Sequence, residues 1–250
     1  MEEKKKPRRG IYLLPNLFTT GCLFSGFYAI INAMSGNFEN AAVAVFIAMV
    51  LDGLDGRVAR LTNTTSEFGV QYDSLADMVS FGLAPALIIY ELALYDMGKL
   101  GWLAAFVYTA GAALRLARFN TQVGTADKRF FQGLPSPAAA AVVAGLVWLS
   151  TDYQLSGEDI KWFALVLTLS AGLVMVSNFR YYSFKDIDFK GKVPFVAMMM
   201  MVLVFVFISL DPPQILFGIF LLYMCSGLVL TVWGIRQKRL QRKQESTDTL

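Results

Sequence analysis

The sequence predicts an all-α, polytopic membrane bundle of about eight transmembrane helices with both termini cytoplasmic, and three observations carry that prediction. First, of 250 residues 56% are hydrophobic and only 16% charged, too little charge to cover the surface of a soluble domain of this length. Second, apolar stretches near the ~20 residues needed to cross a bilayer recur along almost the whole chain. Third, the charges between them are sorted by sign. With eight spans, residues 1–15, 57–71, 115–132, 179–192 and 236–250 share one side, and they hold 20 of the 22 Lys and Arg. The opposite loops hold Glu39, Asp96, Asp152, Glu158, Asp159 and Asp211. That is the positive-inside pattern, and it makes the basic side cytoplasmic.

The spans are expected at 16–35, 40–59, 72–94, 100–119, 136–151, 162–178, 193–210 and 215–235. Pro15-Asn16 opens the first, since proline costs nothing in a first helical turn. The Gly111-Ala-Ala and Ala138-Ala-Ala-Ala runs let the fourth and fifth helices approach their neighbours closely. The Met198–Met201 run reads as packing or lipid-facing surface. Without internal repeats or a long linker the chain divides simply: an interfacial segment 1–15, a single transmembrane domain 16–235, and a basic cytoplasmic tail 236–250. The basic ends, Lys4–Arg9 and Arg236–Lys243, are expected to rest on anionic headgroups of membrane lipids. No aromatic-basic module accompanies them, so no nucleic-acid partner is expected. Cys22 and Cys225 imply no disulfide framework.

Against this apolar background four acids stand out. Asp52, Asp55, Gly56 and Ala59 fall at i, i+3, i+4 and i+7, one face of the second helix. Gly69, Asp73 and Asp77 fall at i, i+4 and i+8, one face of the third. The short polar connection makes the two helices antiparallel neighbours, so their acidic faces can meet in the cytoplasmic leaflet. At 1.5 Å per residue Asp52 lies about 10–12 Å inside the helix end, and carboxylates at that depth mark a site.

Four clustered carboxylates repel one another unless cations compensate. The chain has no histidine, so metal binding and proton transfer fall to the acids. Oxygen-only ligands favour hard cations such as Mg²⁺, Mn²⁺ or Ca²⁺, and two divalent ions would balance four Asp. Paired metals suit displacement at phosphorus. Gly56 and Ala59 leave room for a ligand against the helix, and Arg60 could hold a diphosphate with a bidentate fork. A cation-coupled transporter is the rival class; its site usually lies near the midplane at a repeat interface, and here there is no repeat.

The pattern Asp52-x-x-Asp55-Gly56-x-x-Ala59-Arg60-x8-Gly69-x3-Asp73-x3-Asp77 resembles the CDP-alcohol phosphotransferase signature at every defined position. The stretches Asp73–Pro85, Arg115-Leu-Ala-Arg118-Phe-Asn120 and Phe131–Ala138 are similar to bacterial integral-membrane members that use L-serine as acceptor. The resemblance implies an inner-membrane homodimer whose active site faces the cytoplasm. It implies transfer of a phosphatidyl group from CDP-diacylglycerol to L-serine, with release of CMP and two Mg²⁺ or Mn²⁺ ions as cofactors. Asp52, Asp55, Asp73 and Asp77 would then be metal ligands, with Asp77 also the catalytic base. Asn16, Thr19, Asp52, Gly56, Ala59, Arg60, Gly69 and Asp73 would form the CDP pocket. Arg115, Arg118, Asn120, Gln132 and Ser136 are the acceptor-side candidates, because a serine carboxylate needs a cation. Sister enzymes that use glycerol 3-phosphate or an inositol phosphate remain the alternative within the family; such acceptors call for more basic residues around the site.

Overall fold

The computed structural model describes residues 13–62, 66–121, 130–182 and 195–248. The basic segment at 1–12 lies outside the described residues, as do the side chains of the tail beyond 231. Among the described residues, eight helices occupy the eight expected places: α1 Leu13–Met34, α2 Phe38–Thr62, α3 Glu67–Met97, α4 Lys99–Thr121, α5 Ser136–Asp152, α6 Gly157–Val176, α7 Phe195–Leu210 and α8 Pro212–Asp248. Five of them, α1, α3, α4, α6 and the Pro212–Thr231 part of α8, are long and apolar enough to cross a membrane. α2 is interrupted by its charged residues, α5 is shorter, and so is the apolar Met198–Leu210 part of α7.

Local chemistry explains the ends. α1 stops at Gly36, whose φ of +75° is the left-handed cap that glycine accepts without strain. α3 starts at Glu67, earlier than hydropathy indicates, because the Ser66 hydroxyl accepts the Gly69 N–H and caps it. α6 also starts earlier, at a Ser156–Asp159 capping box. α8 continues far past its apolar part, because the Arg, Lys, Gln and Glu that follow are good helix formers with no stop signal among them.

α1 and α2 form an antiparallel pair zipped by small side chains, with Ala29, Ala33, Ala41, Ala42, Ala44 and Ala48 all buried. The expectation of small-residue contact holds on α4, where a Cβ on Gly111 would stand 2.5 Å from the Gly172 carbonyl of α6. α5 is the centre of the bundle. It packs against α2, α3, α6 and α8, and every residue from Ala138 to Val147 is buried, as expected of a helix with no polar stripe. Its shortness follows, since it lies inside protein rather than against lipid. α7 is the opposite case: its main contact is α8, and its residues from Val202 to Phe207 are exposed on every face.

One feature beyond helix was not foreseen. Residues Phe130–Gln132 (β1) and Arg180–Tyr182 (β2) form a two-stranded antiparallel ladder, with Gln132 opposite Arg180. It ties the chain preceding α5 to the chain following α6, beside the ends of α4 and α6.

Candidate active site

The acidic faces of α2 and α3 do meet. Carboxylate oxygens of Asp52, Asp55 and Asp73 all lie within 4.8 Å of one another. Asp77, one turn along α3 from Asp73, sits against Asp52, while Asp73 sits against Asp55. The four acids therefore form two cross-helix pairs. Asp55 is only 6% exposed, and Oδ1 of Asp77 is buried with no hydrogen-bond partner among the described residues. Like charges in contact at this depth are unfavourable without a compensating cation. An all-oxygen donor set with an orphaned buried oxygen fits a hard divalent ion.

Thr19 of α1 closes the cluster on one side, its hydroxyl 2.5 Å from Asp55 Oδ2 and 3.1 Å from the Pro15 carbonyl. From there a cleft of about 140 Å³ opens between α1, α2 and the start of α3. Asn16, Thr19, Asp55, Gly56, Ala59, Gly69 and Asp73 line it together with Pro15, Ser66 and Val70. Most of the residues that the sequence assigns to the nucleotide thus share one wall. At Gly56 a Cβ would meet nothing within 4 Å, so packing gives no reason for glycine there; the space it leaves belongs to the cleft.

Two residues of that set stand elsewhere. Asp52 lies one helical turn deeper than Asp55 and is not part of the cleft wall. Arg60 is exposed and turns back along its own helix, its Nε donating to the Gly56 carbonyl at 2.8 Å.

The acceptor-side candidates separate into distinct environments. Arg115 of α4 lies beside Asp77 and Asp52, the two acids outside the cleft lining, and its Nη1 donates to Ser136 Oγ at 2.6 Å. Arg118 instead clamps the end of α6, donating to the Met175 and Ser177 carbonyls at 3.1 and 3.3 Å and to Asn178 at 3.2 Å. A guanidinium suits that place, where the last helical carbonyls carry partial negative charge. Asn120 donates to Ser74 at 3.0 Å, joining α4 to α3 between the two acids of α3. Gln132 is exposed on the ladder.

Tyr223 of α8 is a neighbour of Arg115 that the sequence did not single out. Its ring packs against that of Tyr181 in a tilted arrangement, centroids 5.4 Å apart and planes at 49°, and Tyr181 donates to the Met224 carbonyl at 2.8 Å. A tyrosine inside an apolar span was the one available signal. Tyr72, whose hydroxyl is 2.9 Å from that of Thr20, and Ser74 were likewise missed.

A helical membrane bundle with an acidic cluster between two helices, opening on a small-residue cleft, defines a class of membrane-embedded site rather than a single enzyme. Comparison with known proteins narrows it: the chain belongs to the CDP-alcohol phosphatidyltransferase family, which it matches over residues 12–233. It is 42% identical over 218 residues to a protein of Helicobacter pylori named CDP-diacylglycerol–serine O-phosphatidyltransferase, covering 87% of this chain and 91% of the relative. Proteins of the same name from Mycobacterium leprae (31% identical, 90% and 77% covered) and Bacillus subtilis (33%, 69% and 91%) are also similar. The chain is an integral membrane protein of a family of phospholipid-synthesising transferases.

Proposed function

We propose that this protein transfers the phosphatidyl group of CDP-diacylglycerol to the hydroxyl of L-serine, giving phosphatidylserine and CMP. The observation that carries the reading is the double pair of aspartates, two of which, Asp55 and Asp73, line the cleft, in a chain whose relatives bear the name of that activity.

In this reading the cleft beside Gly56 and Ala59 holds the cytidine diphosphate end of the lipid, and the acyl chains remain in the bilayer. Asn16, Thr19 and Gly69 orient it from α1 and α3. Asp52, Asp55 and Asp73 hold one divalent ion and Asp73 and Asp77 a second, Mg²⁺ or Mn²⁺. When bound, such ions supply charge neutralisation on the diphosphate and lower the pKa of an alcohol. Asp77 accepts the proton of the serine hydroxyl, within reach because it stands at the end of the cluster nearest Arg115. Arg115 grips the serine carboxylate from the α4 side, with Ser136 holding its guanidinium in place. The serine oxygen forms a bond to the lipid-bearing phosphorus, the bond from that phosphorus to the oxygen of CMP breaks, and CMP leaves with the electron pair.

Eight spans with both termini and the acidic cluster on the cytoplasmic face of a bacterial inner membrane fit the sorting of Lys and Arg. The basic ends then rest on anionic headgroups, residues 16–235 act as one catalytic domain, and the working unit is a homodimer. The test is direct. Purified protein given CDP-diacylglycerol and a panel of alcohols should release CMP with serine and not with glycerol 3-phosphate or inositol phosphate. Release with either of those and none with serine would replace the acceptor assigned above.

A further inference from the structure

α3 widens immediately past Asp77. Over Met78–Leu83 its backbone makes π-helical turns, closed by the Ala84 N–H donating to the Val79 carbonyl five residues back. The cause is legible in the chain: Pro85 has no N–H to give the Phe81 carbonyl four residues earlier, and its ring crowds that carbonyl. π-turns inside α-helices often sit at functional sites, and this one adjoins the acid read as the base.

Two of its neighbours, α4 and α1, grip the widened turn. On the α4 side the hydroxyl of Tyr108, itself fully buried, donates to the Phe81 carbonyl at 3.0 Å. That is the carbonyl Pro85 deprives of its α-helical donor. On the α1 side Ser80 Oγ donates to the Cys22 carbonyl at 2.9 Å. There a Cβ on Gly26 would stand 2.6 Å from Ser80 Cα, so a residue without a side chain is what admits the approach.

A π-turn holds one residue more than the α-turn it replaces, which rotates the helix before it by roughly 100° relative to the helix after it. Before the turn, Asp73 and Asp77 face α2. After it, Ile88 and Ile89 are buried in the core. The extra residue lets one helix meet both demands.

We propose that Tyr108 is a positioning residue for the transfer: by donating to the Phe81 carbonyl, whose α-helical donor Pro85 removes, it holds the π-turn open and fixes the aim of the Asp77 carboxylate. The proposal rests on Asp77 being the base. Its loss would leave ligands bound and the proton acceptor misdirected, an effect on turnover rather than on binding.

Two variants test it in the full-length protein, with CMP release as the assay. Tyr108→Phe should lower kcat by about tenfold to a hundredfold while both KM values stay within about twofold, the signature of misplaced chemistry. Tyr181→Phe removes another buried tyrosine-to-carbonyl bond and should keep near-wild-type kcat. Pro85→Ala restores an N–H to the helix, so it should melt no lower than wild type and still lose kcat. That combination is not expected of a residue that matters only for folding. Wild-type kcat in Tyr108→Phe, or equal losses in the two tyrosine variants, overturns the proposal. If Tyr108→Phe does not fold, wild-type kcat in Pro85→Ala overturns it alone. Absence of CMP release by the wild-type protein would instead overturn the functional reading on which it rests.

Discussion

The aspartates of α2 and α3 and the arginines at the end of α4 lie in the same bundle, but they meet the cost of buried charge in opposite ways. The four acids face one another in two like-charged pairs, with one oxygen of Asp77 left without a partner among the described residues. Arg118 is satisfied by the protein itself, through two carbonyls and an amide oxygen at the end of α6. Arg115 lies between these cases, anchored to Ser136 yet adjacent to Asp77. The difference teaches which charge is structural. A group whose partners are all supplied by the fold stabilises it, and a group arranged against its own kind waits for something from outside.

Perturbing each group should sharpen that contrast. The largest effect belongs to the acids. Removing divalent cations with a chelator should abolish CMP release, and adding back Mg²⁺ or Mn²⁺ should restore it; undiminished turnover in excess chelator would remove the metal from the site. Next, Asp77→Asn should lower kcat by about 10²- to 10⁴-fold, the usual contribution of a general base. Binding of CDP-diacylglycerol, followed by titration, should be nearly unchanged. Arg115→Ala should raise the KM for serine roughly tenfold or more, as expected for a charge-assisted hydrogen bond, and should move the lipid KM much less. The smallest effect on chemistry belongs to Arg118→Ala. It should lower the melting temperature, at a cost of about 1 kcal/mol for the hydrogen bonds lost to part-buried carbonyls, while kcat stays close to wild type. Equal KM effects from the two arginine variants would erase the distinction between them.

Much of this is legible in the amino-acid sequence alone. The apolar spans gave the helix places, and helical periodicity placed Asp52, Asp55, Gly56 and Ala59 on one face and Gly69, Asp73 and Asp77 on another. Those signals are local, and local signals survive without tertiary information. Arg115 and Arg118 show the limit. They have the same chemistry, three residues apart on one helix, and the sequence predicts the same acceptor-side role for both. What separates them is a helix end some 57 residues further along the chain, at Met175. Arg60 differs for a similar reason: its backbone position suits a diphosphate, but its rotamer runs along α2 to Gly56. Tyr223 and the β1–β2 ladder depend wholly on how distant segments pack. The central place of α5 was hidden by its length, because a short apolar helix reads as a poor span and not as a core.

The claim that the paired aspartates form a phosphatidyl-transfer centre is tested most directly by a single experiment. Purified wild-type protein and Asp77→Asn are each given CDP-diacylglycerol, L-serine and Mn²⁺, and CMP and phosphatidylserine are quantified together. The wild type should make the two products in equal amounts, and Asp77→Asn should make neither at a comparable rate. Equal rates from both proteins, or CMP without phosphatidylserine, would contradict it.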